Sequence, residues 1–161
     1  MKRPLRTPEE ILAYRSLTRI LNSKSKDVWS ASPSDSVLKA LTIMSDKHIG
    51  FLVVIEHNKL IGVLSERDCV RRAILSGRPL ETITLREIMT AEVITVDISQ
   101  TFGDCLRLMH QHHIRHLPVM QTGQIVGVIS VRDLLREAVA HHEKVIAELE
   151  RERMTAFTSV V

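Results

Sequence analysis

The sequence predicts a mixed α/β fold of the α+β kind, made from one supersecondary unit used twice. Three observations lead there. Residues 28–68, moved forward by 65 positions, fall on residues 93–133 without a gap. The strongest run sets Gly62-Val63-Leu64-Ser65-Glu66-Arg67-Asp68 over Gly127-Val128-Ile129-Ser130-Val131-Arg132-Asp133. Leu41 and Leu106, Met44 and Met109, His48 and His113, Ile49 and Ile114, Leu52 and Leu117, and Val54 and Val119 recur at the same offset. Within each repeat, apolar spacing passes from helical to strand-like and back. Finally, 161 residues with 44% hydrophobic and 25% charged content suit one domain or two small intimate ones.

The elements follow in order. Thr7-Pro8-Glu9-Glu10 reads as a helix start, with Thr7 as cap, Pro8 at the first helical position and Glu10 closing a capping box. Ile11, Leu12, Leu17, Ile20 and Leu21 carry that helix over 8–22. Each repeat opens on a short strand, Val28 to Ala31 and Val93 to Val96. Ser34 and Ser99, or Ser36 and Thr101, then cap a helix with apolar Val37, Leu41 and Met44, or Phe102, Leu106 and Met109, on one face. A hairpin comes next, Phe51 to Ile55 with Leu60 to Leu64, and Leu117 to Met120 with Ile125 to Ile129. A last helix starts after Ser65 or Ser130. Gly77-Arg78-Pro79 ends the first of these. Thr84-Leu85-Arg86-Glu87 is a capping box for a short helix to Met89. The final helix runs from about Val131 to Arg153, with Leu135, Ala138, His142, Val145 and Leu149 as a stripe that packs on its own domain or forms a seam with a second copy. The organisation is a helix over 1–23, repeats over 24–78 and 79–140, and a helical extension with tail over 141–161.

Bulk properties exclude several classes. No apolar stretch is long enough to span a bilayer, and the basic start lacks the apolar core of a secretory signal. Net charge is +3, with acids spread among the bases, so no nucleic-acid footprint is read. A small anionic ligand suits this balance better. Cys69 and Cys105 are not equivalent in the repeat, which points to a reducing compartment: cytoplasm, or the mitochondrial matrix in a eukaryotic source.

The order strand–helix–strand–strand–helix used twice, with Gly-apolar-apolar-Ser-x-x-Asp on the second hairpin strand, resembles the CBS domain. Glu87-Ile88-Met89-Thr90, Arg115-His116-Leu117-Pro118-Val119 and Ser65-Glu66-Arg67-Asp68 carry the same resemblance, which covers residues 24–140. It implies a Bateman module, two repeats packed about a pseudo-twofold axis, most similar to stand-alone bacterial and organellar CBS pairs. It further implies two clefts that bind adenosine-containing ligands: AMP foremost, also ADP, ATP, NAD or S-adenosylmethionine.

The residues fit that chemistry. Asp68 and Asp133 can accept hydrogen bonds from both ribose hydroxyls. Ser65 and Ser130 stand at helix starts, which favour anions. Arg67, Arg132 and Arg115 can fork phosphate oxygens, and His116 can donate to phosphate, more strongly when protonated. By the resemblance, Arg115, His116 and Arg132 reach across to the Asp68 site, and Arg67 and Arg115 stand near Asp133. Adenine would slot beside Trp29, Ile49 and Phe51 in one site and Ile94 and Ile114 in the other, bordered by Thr90, Lys24 and Ser25. Arg115-His116 faces Gly50-Phe51 in the other repeat, and Glu66 replaces Val131, so the clefts are expected to differ.

Plainer readings stand beside these. Ser-x-x-Asp is also a helix cap. His110, His112, His113 and His116 cluster in the sequence, but His112 and His113 sit at a helix end, where a cation suits the dipole, and His116 lies past it, so a metal site is not expected. Cys69, Cys105, Met44 and Met109 read as packing. No nucleophile–base pair and no Walker-type loop stands out, so catalysis is not expected. The leading expectation is a non-catalytic nucleotide sensor, a homodimer signalling to an unidentified protein, without nucleic acid or membrane. The alternatives are a ligand-free scaffold and, more remotely, a nucleotide hydrolase or redox accessory.

Overall fold

Ser16 starts the first described helix. Its hydroxyl accepts from the Arg19 amide and opens helix α1 (Leu17–Asn22). The computed structural model describes residues 14, 16–24 and 27–158, with the backbone alone over 155–158. Of the helix expected over 8–22, the described residues form only Leu17–Asn22. Tyr14 and Ser16 lie outside it, because a serine bonded to the third helical amide holds its own backbone extended. The expected Thr7 cap and residues 8–13 lie outside the described residues.

The first repeat comprises β1 (Ser30–Ala31), α2 (Val37–Asp46), β2 (Phe51–Glu56), β3 (Lys59–Ser65) and α3 (Glu66–Asp68). After α4 (Leu85–Ile88), the second comprises β4 (Val96–Asp97), α5 (Phe102–His112), β5 (His116–Gln121), β6 (Gln124–Ser130) and α6 (Val131–Thr158). Each repeat forms its own three-stranded sheet, ordered β1-β2-β3 and β4-β5-β6. The outer pair is parallel and the hairpin antiparallel in both. The pairs Ala31 with Val54 and Val96 with Val119 stand 65 residues apart, and a register shift follows Val54 in one sheet and Val119 in the other. The opening strands are shorter than expected, two residues each.

Local chemistry explains the shared turns. His57 and Asn58 in one hairpin, and Thr122 and Gly123 in the other, have positive φ at both loop positions, as a two-residue type I′ connection requires. Ser36 and Thr101 are the caps of α2 and α5. The two repeats diverge at their last helices. α3 continues through a π turn (Cys69–Ala73) and a 3₁₀ turn (Ile74–Ser76), then stops at left-handed Gly77. At the equivalent places α6 has His142 and Lys144 instead of Gly77 and Pro79, and it runs on for 28 residues. The expected stripe on α6 is divided. Leu135 and Leu149 are exposed, whereas Ala138 packs against the second core.

Two hydrophobic cores result, and each is completed from the other side. Leu52, Val54 and Leu64 anchor the first, which also takes Ile83, Leu85 and Ile88 from the segment leading into the second repeat. The second holds Leu117, Val119 and Ile129 and takes Leu17, Ile20 and Leu21 from the segment leading into the first. The sequence boundary at 78/79 follows the chain, but core membership crosses it. Glycine permits the crossing. A Cβ on Gly62 would lie 2.4 Å from Met89 Sδ, and one on Gly127 would lie 2.7 Å from Leu21 Cδ2.

Candidate functional site

Each Ser-x-x-Asp forms a capping box at the end of its hairpin. Asp68 Oδ2 accepts from the Ser65 amide at 2.9 Å and its hydroxyl at 2.6 Å, and the Asp68 amide donates back to Ser65 Oγ. Asp133 Oδ2 accepts from the Ser130 amide and hydroxyl, both at 2.8 Å, with the same return bond. Each serine hydroxyl thus spends its proton on its own aspartate and is not poised to donate to a phosphate. Each carboxylate keeps Oδ1 without a hydrogen-bond partner among the described residues.

Asp133 has one more partner, and sequence reasoning missed the pairing. Lys24 Nζ lies 2.7 Å from Asp133 Oδ2 and 2.5 Å from the Val128 carbonyl. Burial works to raise the Asp133 carboxyl. The Lys24 and Ser130 hydrogen bonds, with the Lys24 charge, outweigh it and hold the group below its usual value. The only sequence signal was a lysine in the loop bordering the site; a contact spanning 109 residues leaves no local pattern.

Phe51 and His116, equivalent under the 65-residue shift, stack with ring centroids 4.6 Å apart. Phe51 pairs in register with Ser65, and His116 with Ser130, so the two serines flank the stack. Burial pushes His116 down to about 4, against the pull of Asp133 and with the push of Lys24, Arg115 and Arg132. Near neutral pH the ring is therefore uncharged, because a half-dry site beside three cations disfavours a fourth, and the stronger, protonated donation is not the form present there. A base depressed in this way adds stability above its unfolded value of about 6.5 and loses it as pH falls toward its folded one. The melting midpoint is therefore expected to drop between pH 7 and pH 4.5 more steeply than in His116→Phe, which keeps the stack. Equal slopes in the two proteins would contradict this.

Arg115 and Arg132 are thus near enough to the His116 ring to act on it, as Asp133 and Lys24 are. The guanidinium groups of Arg67, Arg115 and Arg132 lie on exposed residues and make no hydrogen bond or ion pair within the described chain. At the equivalent of Arg115, Gly50 is overlain by Glu66, whose Oε2 would stand 3.2 Å from a Cβ there. Trp29 packs against the first core under the Lys47 ammonium, 4.4 Å from its ring, and Ile49 packs beside it. Ile94 and Ile114 pack against the second core. Thr90 bridges to Val63 through both backbone groups. Ser25 lies outside the described residues.

The well-formed hollows do not coincide with the carboxylates. One of about 240 Å³ lies between α1 and β6 and touches the expected set only at Lys24. Another of about 390 Å³ lies between Tyr14, Arg19 and α6. Neither hollow is lined by Asp68 or Asp133, which follow the serines that flank the Phe51–His116 stack. Cys69 and Cys105 are buried, and burial pushes both thiols up to about 11, so neither is a ready nucleophile. Among the described residues, no helix is long and apolar enough to cross a membrane.

Two hairpin-centred units, each ending in a capped carboxylate and each completing the other's core, define a paired-repeat module. The CBS domain family matches residues 21–74 and 85–140, and the chain belongs to that family as a CBS pair. It is 30% identical over 156 residues to the mitochondrial CBS domain-containing protein CBSX3 of Arabidopsis thaliana, covering 91% of this chain and 75% of the relative. The crystal structure of the CBS domain NE2398 superposes with a TM-score of 0.75 at 36% identity, covering 78% of this chain and 98% of the other. The CBS domain pair of protein MJ0100, solved with 5′-methylthioadenosine and S-adenosyl-L-methionine, shares the fold with a TM-score of 0.67 at 24% identity, covering 76% and 94%.

Proposed function

We propose that this CBS pair is a non-catalytic sensor that binds an adenine nucleotide, AMP foremost, in the clefts at Asp68 and Asp133. The observation that carries the reading is the duplicated carboxylate. A serine cap fixes one oxygen of each and leaves the other for a sugar hydroxyl, and the guanidinium groups of Arg67, Arg115 and Arg132 have no partner among the described residues. The adenosine ligands of MJ0100 support the ligand class. Ligand held near the Phe51–His116 stack touches both repeats, so it favours whichever arrangement of the pair closes on it.

The output surface is apolar. Val70 and Ile74 are exposed on the first repeat, and their equivalents Leu135 and Val139 are exposed on α6. Ile146 and Leu149 extend that face along the helix at coiled-coil spacing. This face suits a second copy of the chain, through which a change of shape reaches a regulated protein.

Binding to the folded state raises its stability by mass action, by about 2.7 kcal/mol at a hundredfold excess over the dissociation constant. For a chain of this size the melting midpoint rises by about 2–4 °C per kcal/mol. Saturating AMP is therefore expected to raise the midpoint by roughly 5–10 °C. A midpoint that AMP, ADP, ATP and NAD all leave unmoved at millimolar concentration would instead support a ligand-free scaffold.

A further inference from the structure

We propose that Lys24 makes the Asp133 cleft select a phosphorylated nucleoside over the bare nucleoside, and that the Asp68 cleft lacks this selection. The inference rests on the nucleotide reading above and deepens it. Lys24 is held in place by the helix before it, since Leu17, Ile20 and Leu21 are buried in the second core. Its ammonium has three protons. The Val128 carbonyl takes one and Asp133 Oδ2 another, which leaves the third for a ligand. The side chain is 26% exposed, so its charge is only partly screened by water.

The pseudo-equivalent of Lys24 is Met89, whose uncharged side chain lies over Gly62. The wider surroundings differ in the same sense. Lys24, Arg115 and Arg132 are the cations that act on the His116 ring, and Asp133 is the carboxylate that does so. At Asp68 the matching positions hold Met89, Gly50 and Arg67, and Glu66 adds a second carboxylate. A ribose can bond Asp133 Oδ1 without disturbing the Lys24 pair. A phosphate also engages the remaining ammonium proton, in a charge-assisted bond that a neutral nucleoside cannot make. Loss of one such bond corresponds to about a 10- to 100-fold change in affinity.

A purely structural role, in which Lys24 only ties its segment to β6, would weaken all ligands alike. The test therefore reads a ratio. AMP and adenosine are titrated calorimetrically into the full chain carrying Asp68→Ala, which silences the first cleft, and into the same chain with Lys24→Met, Lys24→Gln or Lys24→Arg. Met and Gln are expected to reduce the preference for AMP by about tenfold or more, while Arg retains most of it. AMP and adenosine weakened equally by Met and Gln, or unchanged by both, would overturn the role of Lys24 and leave the nucleotide reading intact. Absence of binding by either compound to the wild-type chain and to every variant would overturn the nucleotide reading and this inference with it.

Discussion

Replacing Leu17 by alanine is expected to destabilise the protein by about 2–5 kcal/mol, although the residue precedes both repeats. Leu17 is fully buried and packs with Leu117, Val119 and Ile129, the hairpin residues of the distant second repeat. The truncation removes buried methyl groups and leaves a cavity that α1, anchored by Ile20 and Leu21, cannot collapse to fill. Urea unfolding measures the loss. A thermal scan should show it as well, at about 2–4 °C per kcal/mol. Leu75→Ala is the control, because that side chain is 79% exposed, is not among those assigned to the face for a second copy, and its truncation should change stability by less than about 0.5 kcal/mol. A loss under 1 kcal/mol for Leu17→Ala would show that the second core closes without α1.

Replacing Asp133 by alanine is expected to reduce AMP affinity at its cleft by about 100-fold or more, through loss of the sugar acceptor and of the fixed Lys24 ammonium. It also removes the capping box of α6, which costs a further 0.5–2 kcal/mol of stability, roughly. Asp133→Asn separates these effects, because its side-chain oxygen can still cap while its charge is gone. The depressed carboxyl contributes stability above the unfolded value of about 3.9, and that contribution is lost as pH falls through the folded value. Wild type should therefore lose its advantage over Asp133→Asn below about pH 4, as melting curves across pH 3–6 would reveal. Calorimetry that finds AMP bound equally well by wild type and both variants would remove Asp133 from the site.

The elements were legible wherever the determinant is local. Thr84 announces its helix through the acid three residues on, Ser36 and Thr101 were each one of two candidate caps, and Gly77 announces an end. The hairpins follow from apolar runs around His57-Asn58 and Thr122-Gly123. The helix start at Leu17 was not legible, because Ser16 suits a helix interior as well as a cap until its hydroxyl is seen on the Arg19 amide. The serine–aspartate pairs were found by repetition, and their capping role by residue type. What the sequence hid depends on contacts across the fold. Burial sets the charge of His116, and Asp133 meets Lys24 across 109 residues, so neither follows from neighbours in the chain. Met89 over Gly62 and Leu21 over Gly127 are visible only after the leading segments have crossed.

That crossing bears on ancestry. A lone unit of 65 residues cut with its leading helix in front, such as 16–80, holds a hairpin and a carboxylate but not Ile83, Leu85 and Ile88, which help to shut its interior. If the ancestral unit was cut there, another copy would have to lend the piece, and the single unit would persist as an interlocked pair whose survival varied with concentration. Gene duplication and fusion would leave that interlock in place while making its two halves permanent neighbours, folding at any dilution.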